Sequence, residues 1–305
     1  MKQIPKQDPA DYIVTLNMNG LKGRMLNLPA VKRSNNEILF VYGNHSVIEE
    51  WFEFLIGLSQ YGNVTMPDLP GFGGMQSIFR VNEKPTVDNL AGYLASFIKL
   101  KYKRRRITIF AADLGFVVVT RMLQQYPEIA RKIKLLVGID GFARYDDLNF
   151  SHFQQFMFKI TVKIISTRIL SVASRLLLIN QTVIRQTHKQ SNRGLLLNRL
   201  TANAFNKSLE NDIHLWKVND LRTHAFTVKA LLSLDNCQSQ LKVPTWNIIF
   251  NPRYFIRHSL NQHLHVAYPG IIIKELNIKK NNYKISAAML EAILSRKLKR
   301  LLSQS

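Results

Sequence analysis

At 305 residues the chain is long enough for one large domain, or for a core domain carrying an inserted subdomain. Hydrophobic residues make up 46% and aromatics 10%, enough to bury a real core, so a disordered chain is not the expected reading. Its 42 Lys and Arg against 20 Asp and Glu give a net charge of +22, which attracts anionic surfaces, although no recognised nucleic-acid motif accompanies it.

Met1 to Tyr12 mixes Lys, Gln, Asp and Pro without an apolar signal-peptide run, so the cytoplasm is the expected compartment. Tyr12 to Leu28 predicts two strands joined at Asn19-Gly20, a strong hairpin signal. Glu37 to Tyr42 is a short apolar run ending at Gly43, which suits a buried strand feeding a loop. Trp51 to Gln60 carries an apolar face at helical spacing, and Asn63 to Asp68 is a strand running into the turn Pro70-Gly71-Phe72-Gly73-Gly74. Val87, Leu90, Leu94, Phe97 and Ile98 predict a helix over Thr86 to Leu100. The basic runs Lys101 to Arg106 and Arg296 to Arg300 are expected at solvated ends of helices or loops. Arg106 to Phe110 is a β-branched strand, Ala111 to Gly115 a small-residue turn, and Phe116 to Gln125 an apolar helix stopped by Tyr126-Pro127. The next strand, Ile133 to Ile139, ends at Asp140-Gly141. Strands and helices alternating at this spacing imply βαβ units and a mostly parallel sheet.

After about Phe150 the pattern turns helical and stays so to about Leu234. Phe158, Val162, Ile165, Ile169, Val172 and Leu176 form a stripe opposite Lys159, Lys163, Ser166, Thr167 and Ser174. Such an amphipathic helix suits packing on a core or lying on an anionic membrane. Four basic residues (Lys159, Lys163, Arg168 and Arg175) interrupt the apolar region Phe156 to Ile179. A spanning helix needs about 20 mostly apolar residues, so no transmembrane segment is expected. The single Cys237 excludes an internal disulfide and a CxxC metal site; no metal or cofactor is expected. Val243 to Phe250 and Ile271 to Leu276 resume the strands, and a helix is predicted from about Ser286 to Leu302.

Four landmarks stand in order along this layout: Tyr42-Gly43-Asn44-His45 through Trp51, Asp68-Leu69-Pro70-Gly71-Phe72-Gly73, Ala111 to Gly115 with Tyr126-Pro127-Glu128 behind it, and Val243-Pro244-Thr245. Together they resemble the α/β-hydrolase superfamily, especially its epoxide-hydrolase and haloalkane-dehalogenase branch. The resemblance implies an α/β fold with a mostly parallel central sheet flanked by helices. Residues 1–149 and 236–305 would form the core, and 150–235 an inserted helical cap over a pocket for a small-molecule substrate. It also implies a nucleophile elbow at Ala111 to Gly115, whose strained central residue needs small neighbours, supplied by Ala111 and Gly115. Asp113 would then project above the sheet beside a helix N-terminus, whose dipole favours an ionised carboxylate. As the alternative, Asp113 merely caps that helix.

An Asp nucleophile makes an alkyl-ester intermediate, which a histidine oriented by an acid must help to hydrolyse. The resemblance puts that histidine just after the last strand, where this chain reads Asn277 to Tyr283 with Asn282 in the slot. The usual acid position, Asn251-Pro252-Arg253-Tyr254, holds no carboxylate; Asp140 is the candidate in its place, or else a turn residue before Gly141. His45, His258, His263 and His265 are each either a substitute base or a packing residue. Gly43, Asn44, His45 and Leu114 are expected to line an oxyanion and substrate site. Asn44 also matches a halide-binding asparagine, but Leu114 replaces its usual tryptophan partner. Two functions follow: a hydrolase of a small ester-, epoxide- or haloalkane-type substrate using Asp113, or a catalytically degenerate hydrolase-fold protein that binds a ligand, partner or anionic surface. Specific nucleic-acid binding is not expected.

Overall fold

The computed structural model describes residues 8–148, 150–165, 182, 184–186, 202–251, 260–277 and 285–303. The expected hairpin forms from β1 (Ile13–Met18) and β2 (Leu21–Leu28), turned by Asn19 and Gly20 at φ 52° and 76°. Two successive positive φ angles are what a two-residue hairpin turn of matching twist requires. The other strands are β3 (Glu37–Val41), β4 (Asn63–Pro67), β5 (Ile107–Ala112), β6 (Ile133–Ile139), β7 (Thr245–Asn251) and β8 (Ile272–Asn277). All eight join one sheet in the order β1-β2-β4-β3-β5-β6-β7-β8, antiparallel at β1-β2 and β2-β4 and parallel elsewhere.

Parallel neighbours need crossovers, and helices supply them: α1 (Ile48–Leu58), α2 (Val87–Tyr102), α3 (Leu114–Gln125) and the single turn α4 (Pro127–Ala130). Covered on both faces, β3 and β5 are buried at every position, which is why they read as continuous apolar runs. Phe40, Phe110 and Val137 sit at the centre of this core with no exposed surface. Their shared layer fixes the three strand ends that carry the site.

Between β6 and β7 the described chain is helical: α5 (His152–Ile165), α6 (Ala202–Val218) and α7 (Leu221–Leu231). Val162 and Ile165 of the predicted amphipathic stripe are buried against Leu221 and Ala225; its later members, Ile169, Val172 and Leu176, lie outside the described residues. These helices dock on the glycine-rich turn. Asp220 N–H donates to Gly71 O at 2.8 Å, Gly73 N–H donates to Asn219 Oδ1 at 2.8 Å, and the Ser77 and Thr223 hydroxyls meet at 2.7 Å.

After β7 come α8 (Leu260–Ala267), α9 (Ala287–Ile293) and α10 (Arg296–Ser303). The single C-terminal helix expected from the sequence is thus broken in two. Leu294 takes ψ 84°, outside the helical range, and the Ser295 side chain accepts from Leu298 N–H at 3.3 Å to start the second segment.

Candidate active site

The turn from β5 into α3 is built almost wholly from main chain. Asp113 N–H donates to Ile139 O at 3.0 Å, and Asp113 O accepts from Phe116 and Val117 N–H at 3.1 and 3.3 Å. These bonds hold Asp113 at φ 44°, ψ −115°, a strained conformation for a residue with a Cβ. Its side chain makes no capping bond, so the simple-cap alternative does not describe it. Small neighbours are needed, as expected: a Cβ on Gly115 would lie 2.3 Å from Val41 O and 2.6 Å from Tyr42 O. One on Gly43 would lie 2.8 Å from Asp113 Oδ2. Gly43 and Asp113 are therefore in van der Waals contact. Leu114, the next residue, begins α3, and its N–H belongs to the first turn, which has no intrahelical acceptor.

The Asp113 side chain is exposed to water although protein packs densely around it, so it sits in a recess open to solvent. Burial, and secondarily the Asp140 carboxylate, push its pKa up to about 8. This corrects the expectation of an ionised group. The helix N-terminus offers a fraction of a charge, whereas loss of bulk water penalises the whole anion, and a second carboxylate stands close by. Asp140 sits on top of the neighbouring strand at φ 49°, its N–H donating to Ile248 O at 2.8 Å and its Oδ1 accepting from Phe250 N–H at 2.9 Å. The buried Asn247 side chain clamps both main-chain groups of the following Gly141, at 3.1 and 3.0 Å.

A roof of side chains from α6 and α7 closes over the loop after β3. His224 Nδ1 lies 3.2 Å from Asn44 Oδ1, which fixes its proton on Nδ1 and leaves Nε2 with the lone pair. His45, at φ 56°, places Nδ1 3.4 Å from Asn219 Nδ2 and stacks 4.1 Å from the Trp216 ring, with His224 5.2 Å away. Its Nε2 is buried and has no hydrogen-bond partner among the described residues. Burial pushes His224 down to about 4, and burial with the neighbouring His224 pushes His45 down to about 3. Both rings are neutral at physiological pH. His224 was not singled out in the sequence; a histidine three residues after Leu221, on an apolar helix face, was its only signal.

An ion-pair network fixes the glycine-rich turn beneath this roof. The fully buried Asp68 accepts from Arg24 Nε at 2.7 Å and from the Tyr42 hydroxyl at 2.9 Å, while Arg24 grips Glu49 of α1 at 2.5 and 2.9 Å. Burial pushes Asp68 up to about 7 against the opposing pull of Arg24. A Cβ on Gly73, at φ 60°, would strike Asp68 Oδ1 at 2.0 Å, so that position requires glycine.

Two other candidate histidines, His263 and His265, lie on α8. His263 of α8 bonds the buried Asp147 at 2.6 Å, and His265 is exposed. Asp146, Asp147 and His263 bring potential metal-donor atoms within 4.8 Å of one another. Asp147, however, already accepts from Ala143 N–H, Arg144 N–H and His263. His258 and Asn282 fall outside the described residues. No described histidine bonds to Asp113.

No protein-family model and no curated protein matches the sequence. Solved structures do match. A thermophilic esterase from Thermogutta terrifontis superposes with a TM-score of 0.64 at 14% identity, over 95% of this chain and 98% of that one. The enol-lactonase of Burkholderia xenovorans LB400 gives 0.66 at 14% identity, over 95% and 100% of the two chains. The epoxide hydrolase CorEH gives 0.59 at 11% identity, over 87% and 90%. This chain has the α/β-hydrolase fold, and at such identities the likeness speaks to fold alone. Among the described residues, no helix is long and apolar enough to cross a membrane.

Proposed function

We propose that this chain is a hydrolase in which Asp113 attacks an electrophilic carbon of a small ester-, epoxide- or haloalkane-type substrate, held beneath a cap formed by residues 150–235. One observation carries the reading: Asp113 is strained and surrounded by protein, yet its carboxylate bonds to no described side chain while water reaches it. Strain of this kind is retained where a ligand uses it. In the first step an ionised Asp113 oxygen bonds to the carbon, and the carbon–oxygen or carbon–halogen bond breaks, its electron pair leaving with the oxygen or halide. Water then attacks the Asp113 carbonyl of the alkyl ester so formed, or a carbonyl of the mixed anhydride that attack on an acyl ester leaves, with the Leu114 and Asn44 N–H groups stabilising an oxyanion on the Asp113 carbonyl. His224 serves as base: Nε2 takes the proton from that water and returns it to the departing alkoxide, while Asn44 steadies Nδ1–H. Asp140 acts on Asp113 directly, its charge raising the pH at which the nucleophile ionises.

The second reading, a catalytically degenerate ligand-binding protein, is favoured by the protonated Asp113 and by the absence of a described histidine bonded to it. A neutral buried carboxylic acid donates a hydrogen bond to a ligand instead of attacking it. The two separate on a panel of p-nitrophenyl ester, styrene oxide and bromoalkane substrates assayed at pH 7 and pH 9. The hydrolase reading expects turnover that is greater at pH 9, lost in Asp113→Ala, and replaced in His224→Gln by a covalent adduct on Asp113 visible by mass spectrometry. Turnover that survives Asp113→Ala sinks the nucleophile. Neither turnover nor adduct at pH 9 assigns the chain to the binding reading.

A further inference from the structure

α5 is apolar on two sides, one buried and one exposed. Its inner side buries Val162 and Ile165 against Leu221 and Ala225 of α7 and against Trp216 of α6. Its outer side presents Phe153 at 72% exposure, Phe156 at 58%, Met157 at 42%, Ile160 at 38% and Ile164 at 47%. These five recur at spacings of three and four, so they form one continuous stripe along the helix. Single exposed apolar residues are ordinary, but a contiguous stripe containing two phenylalanines marks an interaction face. Lys159 and Lys163, both exposed, run along one edge of it.

Charge selects the occupant. From residue 148 to residue 209 the sequence contains no Asp or Glu, and it carries nine cations: Lys159, Lys163, Arg168, Arg175, Arg185, Lys189, Arg193, Arg199 and Lys207. A second copy of this chain, with its own net charge of +22, would be repelled by a segment so rich in cations. Nucleic acid would satisfy the cations but leave the aliphatic and phenyl groups in water. A bilayer bearing anionic headgroups satisfies both. We propose that α5 docks this protein on an anionic lipid surface, with the outer stripe seated between headgroups and acyl chains and Lys159 and Lys163 on the lipid phosphates. Among the described residues no helix is long and apolar enough to span a membrane, and α5, apolar on one exposed side with lysines along its edge, suits lying in the plane. Because its inner face packs on Trp216, whose ring stacks on His45, the recess would lie about one helix layer, ~10 Å, beneath the membrane. The docking does not depend on turnover at Asp113.

The test is co-flotation of the full chain with phosphatidylcholine vesicles, alone or with about 30% phosphatidylserine. Binding to the mixed vesicles and little to the neutral ones is expected. F156S/I160S should weaken that binding about tenfold, and K159E/K163E by a similar factor. As these side chains are exposed, circular dichroism and the thermal midpoint should not change. K103E/R104E makes the same change in net charge in the exposed loop after α2, at the other end of the sheet's strands, and should leave binding within about twofold. Absence of binding to anionic vesicles overturns the proposal. So does F156S/I160S binding like the parent, or K103E/R104E weakening it as much as K159E/K163E. Stronger retention by duplex DNA than by the vesicles at equal salt overturns it as well.

Discussion

Replacing Asp113 with asparagine tests the electrostatics of its recess, because the two side chains share a shape but only one carries a titrating proton. In the folded chain the carboxyl is held at about 8, against an ordinary 3.8. Below 3.8 both folded and unfolded chains keep the proton, and the group adds no pH dependence. Between the two values the unfolded chain releases its proton while the folded chain retains it, so stability falls as pH rises, by at most about 1.4 kcal/mol per pH unit. From pH 5 to pH 8 that limit is about 4 kcal/mol; water in the recess screens the penalty, and we expect about half, ~2 kcal/mol. Asp113→Asn has no such titration. Its thermal midpoint relative to the parent should therefore rise by about 3 °C between pH 5 and pH 8, since a chain of 305 residues shifts by less than about 2 °C per kcal/mol. Calorimetric scans of both proteins at the two pH values measure this double difference, from which the intrinsic cost of the amide cancels. A gap that stays constant or shrinks would refute a raised Asp113.

Gly115→Ala forces α3 away from the Val41 and Tyr42 carbonyls and should cost about 1–3 kcal/mol despite the better helix propensity of alanine. Gly270→Ala, where a Cβ meets nothing within 4 Å, should be near neutral, and equal melting shifts for the two would disprove the close approach. Arg24→Met strands the buried Asp68 and should cost about 3 kcal/mol in urea unfolding at pH 8, less at pH 5 where Asp68 holds its proton; a loss independent of pH would contradict this. His263→Gln should lower stability by about 1–3 kcal/mol through Asp147 and leave chemistry at Asp113 untouched. Lost turnover at unchanged stability would instead place His263 in the reaction.

The layout was legible wherever one local rule decided it. Asn19-Gly20 can hardly be anything but a turn, and the buried runs of β3 and β5 follow from being covered on both faces. The turn at Asp113 was legible because steric demand shows itself as small residues, Ala111 and Gly115. Its protonation was not, since burial and Asp140 act through space and outweigh the neighbouring helix end. The same holds for the Arg24, Asp68 and Glu49 network, which joins three elements distant in sequence, and for His224, which meets Asn44 only after α7 has docked. The break at Leu294-Ser295 escaped because apolar spacing continues through it, while a serine cap is a weak local signal.

The socket at residue 113 is made from carbonyls and amides of Ile139, Val41, Tyr42, Phe116 and Val117, and none of it consults the side chain it presents. Position and chemistry are thereby decoupled. A cysteine or serine placed there would inherit the same aim into the recess without any rebuilding of the scaffold around it. What the turn preserves is an address, and the identity of the occupant is left free to change.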